Sequence, residues 1–216
     1  MGCGLIVRIG RWVLREACRQ SRAWQDAGLP PLPVAVNVCA PEFRDKSFVE
    51  GIRKILSETR LQAQYLELEL IERVLMEDVE SSAGVLRELK SMGIHLAVDD
   101  FGTDYSSLSY LRQFPIDVLK VDQSFVQQIT ADTDASTIVT AIISMGKSLK
   151  HLVVAEGIET QEQRAYLQSQ GFAEGQGYLF SRPLPAASFA HLLQNGMAET
   201  MSKDKPRLIA PLAASA

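Results

Sequence analysis

Apolar positions along this chain switch repeatedly between two periods. Short runs rich in β-branched residues and leucine alternate with stretches in which apolar residues recur every three or four positions. Ile6, Ile9, Val13 and Ala17 fall on one helical face, and Gly28 with Pro30 closes that stretch, so the spacing predicts a helix over residues 5–27. A strand follows at Val34-Ala35-Val36-Asn37, then a helix near 47–60, a strand at 65–70 and a helix near 78–92 ending at Gly93. The next strand is predicted at 94–99, with a short helix near 106–113 and a strand at 118–122. A helix near 134–150 carries Ile138, Ala141, Ile142, Met145 and Leu149 on one face. A strand at 152–156 precedes a helix near 160–170, for which Thr160 and Gln163 form a capping box and Gly171 the stop. A last strand is expected around 175–180 and a last helix around 186–194. Beyond Gly196 the periodicity ends, and residues 197–216 are expected to be a disordered tail after a domain spanning 1–196.

Strand–helix alternation implies parallel strands joined by right-handed helical crossovers. Six strands are visible. A doubly wound sheet has that many, but the chain holds no G-x-G-x-x-G or Walker sequence. A closed barrel needs eight strands and usually ~250 residues.

Composition narrows the function. Net charge is −4, which gives no basic footprint for a nucleic-acid polymer. No apolar run approaches the ~20 residues that cross a bilayer, and no secretory leader opens the chain. Cys3, Cys18 and Cys39 have no C-x-x-C spacing and read as reduced packing residues, which suits the cytoplasm. His95, His151 and His191 have no mutual spacing suited to a metal.

The candidate chemistry lies at the ends of the apolar runs. Asn37, Glu69, Asp99, Asp122 and Glu156 each sit at or beside the carboxyl end of a predicted strand, and Gln176 begins another. In a barrel those ends share one face, where barrel active sites form. Asp99 and Asp100 are adjacent carboxylates that repel unless a cation lies between them, and oxygen donors suit hard divalent ions such as Mg²⁺ or Mn²⁺. On a regular strand the two point to opposite sides, so the backbone must turn for both to serve one ion. Lys120 shares a strand face with Asp122, and a buried ammonium there needs carboxylates or a phosphate. Each residue also has a plain structural use. Asn37 can bond loop backbone, Asp122 can cap a helix starting at Ser124, and Lys120 can form a structural ion pair. Glu67 and Glu69 can mark a solvated strand face.

Five segments carry a family resemblance: Glu69-Leu70-Ile71-Glu72, Asp99-Asp100-Phe101-Gly102-Thr103-Asp104-Tyr105-Ser106-Ser107-Leu108, Leu119-Lys120-Val121-Asp122, Ala155-Glu156-Gly157-Ile158-Glu159-Thr160 and Gln176-Gly177-Tyr178. In order and spacing, from about Leu5 to Leu193, they resemble the EAL domain, a family that hydrolyses the bacterial second messenger cyclic di-GMP to linear pGpG. The resemblance implies a TIM-type (β/α) barrel and two-metal hydrolysis, in which Mg²⁺ or Mn²⁺ ions activate water and stabilise the phosphodiester. It implies metal ligation by Asn37, Glu69, Asp99 and Asp122, with Asp100 helping to hold the second ion. Lys120 and Glu156 take the catalytic positions near the attacking water, Gln176 the substrate rim, and Glu72 anchors the Asp-Asp-Phe-Gly loop. Partners implied are cyclic di-GMP and, in a longer protein, an upstream sensory or GGDEF domain or a second subunit. The departures are specific. No Glu-Ala-Leu occurs in the sequence, although that glutamate is a metal ligand in the family. The expectation is therefore a barrel incomplete at its N-terminus, with about six of eight strands and poor or no hydrolysis; the alternative is a catalytically inactive regulatory module that binds cyclic di-GMP or a protein partner. Ile71, Cys39 and Asp104 replace the family's usual Thr, Ser and Gly. Asp104 is expected to keep the loop path, because Asp tolerates positive φ, and to add negative charge beside the phosphate site.

Overall fold

The computed structural model describes residues 3–103, 111–130, 133–172 and 174–195. Its elements run α1 (Cys3–Asp26), β1 (Val34–Val38), α2 (Ala40–Phe43), α3 (Phe48–Thr59), β2 (Leu66–Ile71), α4 (Glu72–Met76), α5 (Val79–Ser91) and β3 (His95–Phe101). They continue with β4 (Val118–Val121), α6 (Gln123–Gln128), α7 (Thr133–Leu149), β5 (Leu152–Ala155), α8 (Gln161–Ser169), β6 (Glu174–Gly175) and α9 (Ala186–Asn195). The strands form a six-stranded sheet in the order β1-β2-β3-β4-β5-β6. Strict sequence order with parallel pairing is the signature of consecutive right-handed β-α-β units, as the strand–helix alternation implied, and matches the TIM-type α/β arrangement that the family resemblance implied.

The chain divides into two compact units. The first holds the described residues up to Val98 together with 111–117. Its sheet core is β2, where Leu66, Leu68 and Leu70 are fully buried on one face. Burying each such side chain contributes about 1.5–3 kcal/mol. The other face is not solvated: Glu69 is buried and Glu67 half-buried, so the pair does not mark an exposed edge. β1 pairs with β2 in parallel, with Val36 opposite Leu68 and Asn37 opposite Glu69. α1 packs on β1 and α3 through Leu14 and Cys18, both buried. Burial alone pushes the Cys18 thiol up to about 11, so it remains protonated and inert at neutral pH, as a packing residue should.

The second unit holds residues 99–103 and the described residues from Val118 onward. β4 pairs with β5 and β5 with β6, both in parallel. All four residues of β4, Lys120 among them, are buried. Thr160 and Gln163 make the expected capping box, each side chain bonding the other's backbone N–H, and Gly171 ends α8 with φ +73°.

Two expectations change. The last strand stops at Gly175 instead of running to Phe180. Past it the chain turns onto the loop that follows β5: Ile158 N–H donates to the Gln176 carbonyl, and Leu179 N–H donates to the Ile158 carbonyl. Those donors and acceptors are thereby withdrawn from a ladder. The short helices α2 and α4 also escape a periodicity argument, because fewer than two turns cannot establish a period, whereas α6 is the helix that the capping use of Asp122 anticipated. The helix expected at 106–113, the loop residue Asp104 and the tail at 197–216 lie outside the described residues or largely so.

Candidate functional site

The second unit assembles an acidic cluster around one buried ammonium. Lys120 is only 4% exposed. Its Nζ lies 2.5 Å from Glu156 Oε1 and 3.4 Å from Asp99 Oδ1. β4 delivers the lysine, the last turn of β3 delivers Asp99, and the residue following β5 delivers Glu156. Glu156 is held further by Gln176, whose Nε2 donates to the same Oε1 at 2.6 Å. Four of the expected site residues therefore form one connected polar group: Asp99, Lys120, Glu156 and Gln176.

Asp100 joins them through an uncommon backbone conformation. Successive strand residues point to opposite faces, so adjacent aspartates on a regular strand cannot meet. Asp100 has φ +54°, in the left-handed region, which turns the chain at the end of β3. Aspartate is among the few non-glycine residues that enter this region, at a cost of order 1–3 kcal/mol. Oxygens of Asp99, Asp100 and Glu156 consequently lie within 4.8 Å of one another. Asp99 Oδ1 also accepts from the Asp100 backbone N–H at 3.1 Å.

Asp122 has two partners. Its carboxylate caps α6, accepting from the Ser124 backbone N–H at 3.0 Å and from the Ser124 hydroxyl. It also meets the Asp100 carboxyl. The structural use and the site use of Asp122 thus coexist, since a carboxylate has lone pairs for both. Burial, then the charges of Asp99 and Asp122, hold the Asp100 carboxyl above the ordinary carboxylate range, and Lys120 offsets only part of this. Among the described residues the cluster carries more negative charge than the Lys120 ammonium balances.

That imbalance and the all-oxygen donor set fit a hard divalent cation. Carboxylates crowded this closely are costly without a positive charge among them.

The first unit carries the remaining expected residues. Asn37 and Glu69 are direct neighbours in the β1–β2 register, both near the carboxyl ends of their strands. Asn37 is exposed and Glu69 is buried. Glu72 is the first residue of α4 and is 2% exposed.

A cavity of about 510 Å³ opens beside the cluster within the second unit, lined by Glu156, Gln176, Gly157, Tyr178, Arg182 and Phe189 among others. The Arg182 guanidinium lies over the Tyr178 ring, 4.7 Å from its centroid. Arg182 was not among the residues expected from sequence. A lone arginine in a Ser-Arg-Pro segment has no pattern that marks it; only the fold sets it over the tyrosine.

The family described as the EAL domain matches residues 2–183. The bifunctional diguanylate cyclase/cyclic di-GMP phosphodiesterase MucR of Pseudomonas aeruginosa is 43% identical over 183 residues, 85% of this chain and 27% of MucR. The cyclic di-GMP phosphodiesterase NbdA of the same organism is 45% identical over 191 residues, covering 88% of this chain and 24% of NbdA. The chain thus spans about a quarter of the length of these curated relatives. Among solved structures, the PaMucR phosphodiesterase in complex with c-di-GMP superposes with a TM-score of 0.84 at 42% identity, covering 86% of this chain and 75% of that one. The EAL domain of Mycobacterium smegmatis DcpA gives 0.82 at 35% identity, covering 87% and 84% respectively.

Proposed function

The chain belongs to the EAL domain family, and from that premise we propose that it binds cyclic di-GMP and hydrolyses it to linear pGpG with Mg²⁺ or Mn²⁺. The observation that carries this reading is the buried Lys120 ammonium set between Asp99 and Glu156, with an oxygen of Asp100 within 4.8 Å of oxygens of both carboxylates. An ordinary structural ion pair needs one carboxylate for one ammonium. Asp99, Asp100, Asp122 and Glu156 exceed that need, and the excess is the chemistry of a cation site.

In this reading Asp99, Asp100 and Asp122 hold the ions, and Asn37 and Glu69 keep the ligand role that the family resemblance implies. Divalent cations bound there supply Lewis-acid stabilisation of the phosphodiester and lower the pKa of water. The chain's own groups do the rest. Lys120 points a charged donor into the cluster, where it neutralises Asp99 and Glu156 and offers N–H to a phosphate oxygen or to the incoming water. Gln176 fixes the rotamer of Glu156, so that carboxylate accepts a proton from a defined direction. Capping of α6 holds Asp122 in the same way. Tyr178 and Arg182 give the neighbouring cavity a flat cationic–aromatic wall suited to a purine base. Glu72, buried at the start of α4, keeps the loop-anchoring role that the family resemblance implies.

A second reading, a module that binds cyclic di-GMP without turnover, is favoured by one observation: the sequence contains no Glu-Ala-Leu. One experiment separates the two. Cyclic di-GMP binding and pGpG formation are measured with Mn²⁺ on residues 1–216 and on a version extended by a family strand bearing Glu-Ala-Leu. Slow turnover that rises on extension, and that Asp99→Asn abolishes in both, supports the enzyme. Binding with no turnover in either version supports the module. Absence of binding in both would overturn the two readings together.

A further inference from the structure

The cavity beside the carboxylate cluster presents apolar surface to water. Tyr178 is 53% and Leu184 43% exposed. Pro183 is exposed, and Phe189 and Leu192 of α9 are half-buried. All five line the same concavity. Scattered apolar side chains on a surface are normal; a contiguous set around a cavity marks an interaction site. One charge at the cavity is open as well. Glu156 is tied to Lys120 and Gln176, and Arg182 lies over the Tyr178 ring. Glu159 is exposed, and among the described residues its carboxylate meets no cation. The purine wall proposed above uses Tyr178 and Arg182 and leaves the α9 side without a role. That side lies beyond the family match, which ends at residue 183.

The chain that follows α9 has the complementary chemistry. Residues 196–216 come after Asn195, where α9 ends. Within them Lys203, Lys205 and Arg207, against the single acid Asp204, lead into Leu208-Ile209-Ala210-Pro211-Leu212. The apolar run matches the cavity floor, and the cations match Glu159. Leu208 is thirteen residues past Asn195. A chain of that length spans about 20 Å on average and about 45 Å at full stretch. Leu192 lies one turn, about 5 Å, before the end of α9, so the run reaches back to the cavity with slack. Pro206 and Pro211 bracket the run, and proline reduces the entropy lost when a chain is ordered.

We propose that residues 205–212 fold back onto this cavity of their own chain, with Leu208, Ile209 and Leu212 against Tyr178, Leu184, Phe189 and Leu192 and with Arg207 toward Glu159, and that the docked segment competes with the nucleotide. The competition rests on the reading that a base stacks on Tyr178; the docking does not. A short tether presents its end at a millimolar effective concentration, so weak intrinsic affinity suffices. At micromolar protein, the same segment from a second copy is at a disadvantage of roughly a thousandfold.

The test separates docking from nucleotide chemistry. Residues 1–216 are compared with the same chain carrying Leu208→Asp and Ile209→Asp together, both changes lying past α9. Hydrogen exchange at residues 176–192 is read without nucleotide. It is expected to be at least threefold faster in the double variant, and to slow again when a peptide of residues 200–216 is added to that variant. Glu159→Lys should give a smaller change in the same direction. Cyclic di-GMP with Mn²⁺ is expected to bind the double variant at least threefold more tightly than the parent. Equal exchange in the two chains, a peptide without effect, or protection that grows with protein concentration would each overturn the docking. Faster exchange with unchanged nucleotide affinity would overturn the competition. Failure of both chains to bind cyclic di-GMP would overturn the hydrolase reading, and the exchange measurement would still decide the docking.

Discussion

The two units reach their polar residues by different routes. In the first, Asn37 and Glu69 sit side by side on ordinary parallel strands, and the register that pairs Val36 with Leu68 also pairs them. Nothing in the backbone is strained to bring them together. In the second, adjacent aspartates meet only because Asp100 enters the left-handed region, and a lysine is buried where burial of a charge is costly. Regular strands can place one polar side chain per strand end at little cost. Concentrating four carboxylates needs a turn in the backbone and a counter-ion in the core.

The largest expected effect follows from removing that counter-ion. Lys120→Met leaves Asp99 and Glu156 without their ammonium, and breaking a buried pair of this kind costs about 3–5 kcal/mol. Thermal unfolding in EDTA should show a large fall in midpoint, partly restored by saturating Mn²⁺. An unchanged midpoint in EDTA would mean that the cluster is solvated and unstressed.

Asp100→Asn should act in the opposite direction on the metal-free protein. The Asp100 carboxyl is held high by burial and by Asp99 and Asp122. The folded state therefore binds this proton more tightly than the unfolded state. Below the ordinary carboxylate pKa the group imposes no penalty, and as pH rises through the window up to its folded pKa, stability is lost. In EDTA, Asp100→Asn is expected to raise the midpoint at neutral pH and to flatten that decline, while weakening Mn²⁺ binding several-fold in calorimetry. A variant that is less stable at neutral pH without metal would remove the stress from this half of the contrast.

The smallest effect belongs to the unstrained unit. Asn37→Ala is exposed and should change stability by no more than about 0.5 kcal/mol. It should nevertheless weaken Mn²⁺ binding, because Asn37 is assigned to the ligand set. Unaltered affinity would remove Asn37 from the ligands and sharpen the contrast into a division of labour.

The sequence is most legible where period decides. Helices α1, α3, α5, α7 and α8 and the first five strands fall within two residues of the positions that periodicity and glycine stops predict. Lys120 is also legible in its chemistry, since a lysine inside the apolar Leu119–Val121 run has to meet an opposite charge, and it does. The segment 176–180 is not legible as a turn, because its hydrogen bonds go to Ile158, about twenty positions away, and no local pattern encodes that. The left-handed Asp100 is legible only as a need: two neighbouring carboxylates require a turn, but the residue that makes it cannot be picked from the composition of the loop. Arg182 has no sequence signal at all.

Gly177 sets a different kind of constraint. A methyl group on it would lie 2.1 Å from the Ile158 carbonyl oxygen and 2.3 Å from the Ile158 nitrogen, so the two backbones touch where no side chain fits between them. Gln176 and Tyr178 flank that contact on one strand of chain, and Glu156 lies two residues before it on the other. The cavity wall and the carboxylate cluster are therefore welded at a single seam. A side chain added at position 177 forces the two backbones apart and so displaces Tyr178 together with the Gln176 that holds Glu156.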